Sequence, residues 1–78
     1  MKHGTMYRRV SGAGWDSLYR IVGTDTLGVG SINGGWYVVD LTGTGSPRRV
    51  GSAIGSPLPR REEARAVALL LHVRRRYL

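Results

Sequence analysis

Apolar and polar residues alternate clearly in only two stretches of the chain, and a third stretch carries a helical period. Ser17 to Val22, SLYRIV, is rich in large and β-branched residues and is closed by Gly23, so it reads as a strand. Its alternation puts Leu18, Arg20 and Val22 on one face and Tyr19 and Ile21 on the other. Trp36 to Leu41, WYVVDL, is the clearest strand, bounded by Gly35 and the turn-forming TGTGSP, and is expected in the middle of a sheet. Trp36 and Tyr37 then point to opposite faces, and Trp36 is assigned to the core. A turn over 42–47 would bring Arg48 to Gly51 back antiparallel to that strand, and SAIGSPLP would lead out of the sheet.

Residues 23–35 admit two readings. Asn33-Gly34 suits a type I′ turn pairing Leu27 to Ile32 with Gly35 to Leu41, whereas the glycines at 28, 30 and 34 weaken a strand and favour a loop. Residues 1–16 lack a sustained period and read as a basic arm with a short strand at Thr5 to Val10 and two anchors, Tyr7 and Trp15. Residues 17–78 then form a single α+β domain of β-β-β-α order. Its antiparallel sheet has three strands, or four if 24–35 pair, packed on one C-terminal helix.

The helix follows Pro59. Glu62 and Glu63 lie near its positive end, and Arg74, Arg75 and Arg76 near its negative end. At about 100° per residue, Ala64, Val67, Ala68, Leu71 and Leu78 share one side, and Ala66, Leu69, Leu70, Val73 and Tyr77 nearly the opposite one. Arg61, Arg65, His72 and Arg76 fill the sector between them as a basic stripe, with His72 read as a solvated residue. Packing on one sheet needs a single apolar flank. Leu69, Leu70, Val73 and Tyr77 are therefore expected to meet a second copy or a host protein, unless Met6, Tyr7, Val10 and Trp15 of the arm fold over them.

Composition narrows the function. A chain of 78 residues buries only about 60% of its unfolded surface. With no Cys it has no disulfide to reinforce that core. The longest apolar run, Ala66 to Leu71, is far shorter than a membrane span, and MKHGTMYRRV lacks the apolar stretch of a signal peptide. A cytoplasmic protein without membrane contact is expected. Twelve Lys and Arg against five Asp and Glu give +7, the electrostatic footprint of a chain that meets a polyanion. Eleven of the twelve are Arg, a skew that Arg-rich coding alone can also produce. The charge is concentrated at the two ends, net +3 over 1–22 and net +4 over 60–78, with net −2 over 23–44.

Catalytic constellations are not found. Two His and no Cys cannot supply an ordinary His/Cys metal site, and the carboxylates lack metal-loop spacing, so neither metal nor cofactor is expected. GVGSING has the spacing G-x-G-x-x-x-G and no following helix, unlike the dinucleotide fingerprint, and no Lys follows a glycine-rich loop. No Ser stands in a nucleophile elbow. What remains is Arg interleaved with aromatics. Arg8 and Arg9 on the arm and Arg20, Arg48 and Arg49 on the strands, all three read as exposed, are the candidate contacts to DNA, or to RNA if exposed aromatics stack on unpaired bases.

The strand, strand, strand, helix order, with GGWYVVDLTGTG, RRVGS and PLPRREEARAVALLL in sequence, resembles the three-stranded arm-type DNA-binding domain of tyrosine integrases. It is also similar to small free-standing phage and mobile-element proteins of that plan. The likeness covers about residues 17–73. It implies a non-enzymatic DNA-binding module encoded by a phage or mobile element, whose sheet face enters the major groove with Arg20, Arg48 and Arg49. Two features depart from the pattern: Arg60 stands where the helix cap is usually Thr or Ser, and the loop 23–35 is long and glycine-rich. The competing expectation is a homodimeric interaction or inhibitory module that binds a cellular protein through the apolar helix flank.

Overall fold

A computed structural model describes residues 6–43, 47–50 and 57–78. Five strands and one helix follow in chain order: β1 (Tyr7–Arg9), β2 (Ser17–Ile21), β3 (Leu27–Ile32), β4 (Gly35–Asp40), β5 (Arg48–Arg49) and α1 (Arg61–Tyr77). The strands form one antiparallel sheet in the order β1-β2-β3-β4-β5, so each pairs with its neighbour in sequence. The α+β class is as expected, but the sheet has five strands rather than three or four. Within the arm, Tyr7–Arg9 pairs with β2 as an edge strand. The middle strand is β3, and β4 lies inside the sheet between β3 and β5. Part of the expected turn over 42–47, Thr5 of the first expected strand, Gly51 and most of SAIGSPLP lie outside the described residues.

Between the two readings of 23–35, the structure takes the hairpin. Ile32 faces Gly35, with Asn33 at φ 53° and Gly34 at φ 82°, the two left-handed residues a type I′ turn requires. Gly28 and Gly30 do not weaken β3 because other side chains lie against them. A Cβ on Gly30 would come within 2.5 Å of Trp15 Cε3, and one on Gly28 within 2.8 Å of Leu41 Cδ1. The bare backbone of β3 is therefore a floor for an indole and an isobutyl group, and that burial offsets the weak strand propensity of glycine.

The helix covers one face of the sheet. Ile21, Leu27, Val29 and Val38 are buried there against Ala64 and Ala68 of α1, with Tyr7, Tyr19, Trp36, Val50, Leu58, Val67, Leu69 and Leu71 around them. The small Ala64 and Ala68 side chains let the helix lie close to β3 and β4. Trp36 belongs to this core face, as expected from alternation. Leu69 corrects the sequence reading: it packs against the core and does not join the exposed flank. After β5, Leu58 exchanges two backbone hydrogen bonds with Trp36, of 2.9 and 2.8 Å, and so continues the edge beside β4. Arg60 is the helix N-cap residue with extended backbone and no side-chain cap bond, the loss that its side chain implied. Acidic and basic residues occupy the first and last turns of α1 as the helix dipole favours.

Candidate nucleic-acid interface

Strand register decides which arginines share a face. Arg8 lies across from Arg20, Arg20 from Gly28, Gly28 from Val39, and Val39 from Arg49. Residues directly opposite in neighbouring strands point to the same side, so Arg8, Arg20 and Arg49 stand in one cross-strand row. Its neighbours in β2 and β3 alternate with the core residues Tyr19, Ile21 and Val29, which places the row on the face away from the helix. Four strand spacings of about 4.8 Å separate its ends, roughly 19 Å.

Arg9 and Arg48 go to the other face, so the five candidate arginines do not share one surface. Arg9 is opposite Tyr19, and Arg48 is opposite Asp40, which itself faces Leu27. The resemblance to arm-type domains placed Arg48 with Arg49; strict alternation along a two-residue strand cannot keep both on one face. Arg20 is half-buried rather than exposed, and its guanidinium donates to the Asp25 carbonyl at 3.2 Å.

Two aromatic residues complete the outer face. Arg49 lies over the Tyr37 ring at 4.9 Å, and Tyr37 meets Trp15 edge-on at 6.2 Å between ring centres. Asp16 holds the Trp15 loop in place: its N–H donates to the Ser31 carbonyl at 2.9 Å, and its carboxylate accepts from the Asn33 N–H at 2.8 Å. The Leu41 N–H donates to the Thr26 carbonyl at 2.8 Å, which fixes Leu41 over Gly28. An apolar ridge of Trp15, Tyr37 and Leu41 therefore rises between Arg8 and Arg20 on one side and Arg49 on the other. Tyr37 could have been found from parity with Val39. The position of Trp15 could not, because it rests on loop hydrogen bonds with no periodic signal.

Charge on this face is one-sided. Of the five acidic residues, Asp16 is bound to the hairpin turn, Asp25 and Asp40 face helix arginines, and Glu62 and Glu63 lie on α1. Among the described residues, none of Arg8, Arg20 and Arg49 has a carboxylate within ion-pair distance.

The helix arginines are disposed differently, and the expected basic stripe is largely turned back onto the protein. Arg61 packs over the rings of Tyr7 at 4.3 Å and Tyr19 at 5.2 Å. Arg65 is half-buried, and its Nε has no hydrogen-bond partner among the described residues. Arg76 and Arg75 reach Asp25 at 3.5 Å and Asp40 at 3.3 Å. Asp40 also accepts the Thr42 hydroxyl and the Thr42 N–H, the latter at 2.9 Å. The Thr42 hydroxyl above all, with help from the Thr42 N–H, Thr26 and Arg75, holds its carboxyl below the usual range against the opposing effect of burial. His72 is half-buried rather than solvated. It lines a cleft of about 320 Å³ with Asp25, Thr26, Leu27, Arg75 and Arg76. Both guanidiniums of that cleft already face carboxylates. Among the described residues, no group of three His, Cys, Asp or Glu comes together, and no helix is long and apolar enough to cross a membrane.

No family model, curated protein or solved structure matches this chain. The functional reading therefore rests on the face itself.

Proposed function

We propose that this chain binds nucleic acid, duplex DNA foremost, through the sheet face opposite the helix. The carrying observation is the Arg8–Arg20 pair. Like charges directly opposite each other in a sheet destabilise it, and here no carboxylate among the described residues offsets them. A phosphate backbone would supply the missing negative charge.

The dimensions fit a duplex. The row spans roughly 19 Å between end strands, wider than the major groove at about 12 Å. Arg8 and Arg20 would meet phosphates on one side of the groove and Arg49 on the other, with the Trp15, Tyr37 and Leu41 ridge above the opening. Such contacts are made to the backbone and position the protein without reading sequence. The role assigned is non-enzymatic. It agrees with the arm-type resemblance in the use of a sheet face, and replaces Arg48 with Arg8.

A labelled random duplex and a random single strand, each titrated with the protein at several salt concentrations, test the proposal. The duplex should bind more tightly, with affinity falling steeply as salt rises. Since each phosphate contact contributes about 0.9 to the logarithmic salt slope, replacing Arg8, Arg20 and Arg49 together by Ala should lower it by about 2.7. Arg9→Ala with Arg48→Ala should leave it unchanged. Tighter binding of the single strand would assign the Trp15 and Tyr37 rings to base stacking instead. An unchanged slope in the triple variant would refute the face.

A further inference from the structure

The helix side turned away from the sheet carries a regular apolar stripe. Leu70, Val73 and Tyr77 are 64%, 47% and 72% exposed, and Ala66 is exposed beside them. The arm, the alternative cover for them, is engaged elsewhere: Tyr7 packs on the core and Trp15 lies on the far face of the sheet. Positions 63, 66, 70, 73 and 77 follow the alternating three- and four-residue spacing of a coiled-coil seam. Five positions of a single helix would not hold this spacing outward merely to pack on their own sheet, which uses Ala64 and Ala68 on the opposite side.

The charges at the ends of the stripe identify its partner. Glu63 heads it and Arg74 borders its other end, opposite charges that among the described residues have no ion-pair partner. We infer that α1 packs against α1 of a second copy, antiparallel, about a two-fold axis near Leu70. In that arrangement Glu63 of each chain faces Tyr77 of the other and lies within one helical turn of its Arg74. Opposite helix dipoles are also brought together. A parallel pairing would stack Glu on Glu and Arg on Arg. A contact one helix long lies at the low end of interface sizes, under about 1,200 Å², so the dimer is expected to dissociate on the order of micromolar concentration.

The dimer has sheets outside and helices inside. If the outer face binds nucleic acid as proposed above, the two arginine rows point away from each other, and one dimer can hold two separate segments. That consequence rests on the functional reading; the dimer does not.

Sedimentation equilibrium of the full chain, without nucleic acid, tests it. The wild type should pass from monomer to dimer as concentration rises through the micromolar range. Leu70→Glu should weaken association by at least about tenfold with an unchanged circular dichroism spectrum. Glu63→Arg alone and Arg74→Glu alone should each weaken it, and the two together in one chain should restore it, since both exposed positions leave the fold intact. A wild type that stays monomeric at every concentration overturns the inference. So does a dimer insensitive to Leu70→Glu, or one that neither single charge reversal weakens, which would mean another face or a parallel pairing.

Discussion

The two faces of the sheet are built from the same strands by opposite means. On the helix side, alternate positions supply Ile21, Leu27, Val29 and Val38, and α1 covers them with Ala64 and Ala68. Arginines near that layer, Arg61, Arg75 and Arg76, each meet rings or carboxylates. On the outer side the same strands supply Arg8, Arg20, two glycines and Arg49, and loop residues cover only the middle. Leu18 and Val39 are still buried there, so this face also contributes to the core. The helix face is closed in packing, and three of its arginines are satisfied by rings or carboxylates, whereas Arg9, Arg48 and Arg65 have no ion pair among the described residues. The outer face is closed in packing near Trp15 and Leu41, and at its edge Arg8 and Arg20 stand directly opposite each other, the like-charge pair on which the proposed polyanion contact rests.

The largest effect should come from opening the helix face. Leu27→Ala removes a fully buried side chain from the core and should cost about 3 kcal/mol in urea denaturation. Leu41→Ala on the outer face, where the residue is only half-buried, should cost less than half as much. Equal losses would mean that both faces are equally closed.

Next in size is Gly30→Val, which forces Trp15 off β3. Overpacking of this kind costs about 1–3 kcal/mol. Trp15 emission, followed in a Trp36→Phe background, should shift red as the indole is released to water. A variant of wild-type stability and unchanged emission would show that the glycine floor is not what seats the indole.

Arg8→Glu separates stability from function. It turns a like-charge cross-strand pair into an attractive one, so stability should rise by about 0.5 kcal/mol while duplex affinity falls. Loss of both would mean that Arg8 has a structural partner, contrary to the account of the outer face.

The smallest effect belongs to Asp40 on the closed side. Its carboxyl is held below its ordinary value, so its contribution to stability is complete above the unfolded-state pKa, about 3.9, and disappears as pH falls through the lower folded value. Thermal melts from neutral to strongly acidic pH should show a decline at the acid end that Asp40→Asn reduces. An unaltered pH profile in that variant would mean that the Thr42 and Arg75 contacts do not stabilise the charged form.

Much of the closed face was legible in the sequence, and less of the open one. Parity in SLYRIV and WYVVDL separated the two faces and put Trp36 in the core, Asn33-Gly34 offered the turn as one of two readings, and Pro59 with the flanking charges marked the helix. The edge strands were only partly legible, since Tyr7–Arg9 and Arg48–Arg49 are too short and too basic for an apolar period to show. Leu69 was placed on the wrong flank because it sits at the border between the two helix sides, where small rotations decide burial. The five candidate arginines divide between the two faces of the sheet. Only register across four strand pairs separates Arg8, Arg20 and Arg49 from Arg9 and Arg48, and register is a property of pairing that no single segment encodes.

The most direct test of the account follows amide and arginine side-chain NMR signals while a short random duplex is added. Shifts should gather on Arg8, Arg20, Tyr37, Arg49 and the Trp15 indole, with Arg61 and the Leu70 to Tyr77 stripe unmoved. Shifts concentrated on α1, with the outer face silent, would contradict it.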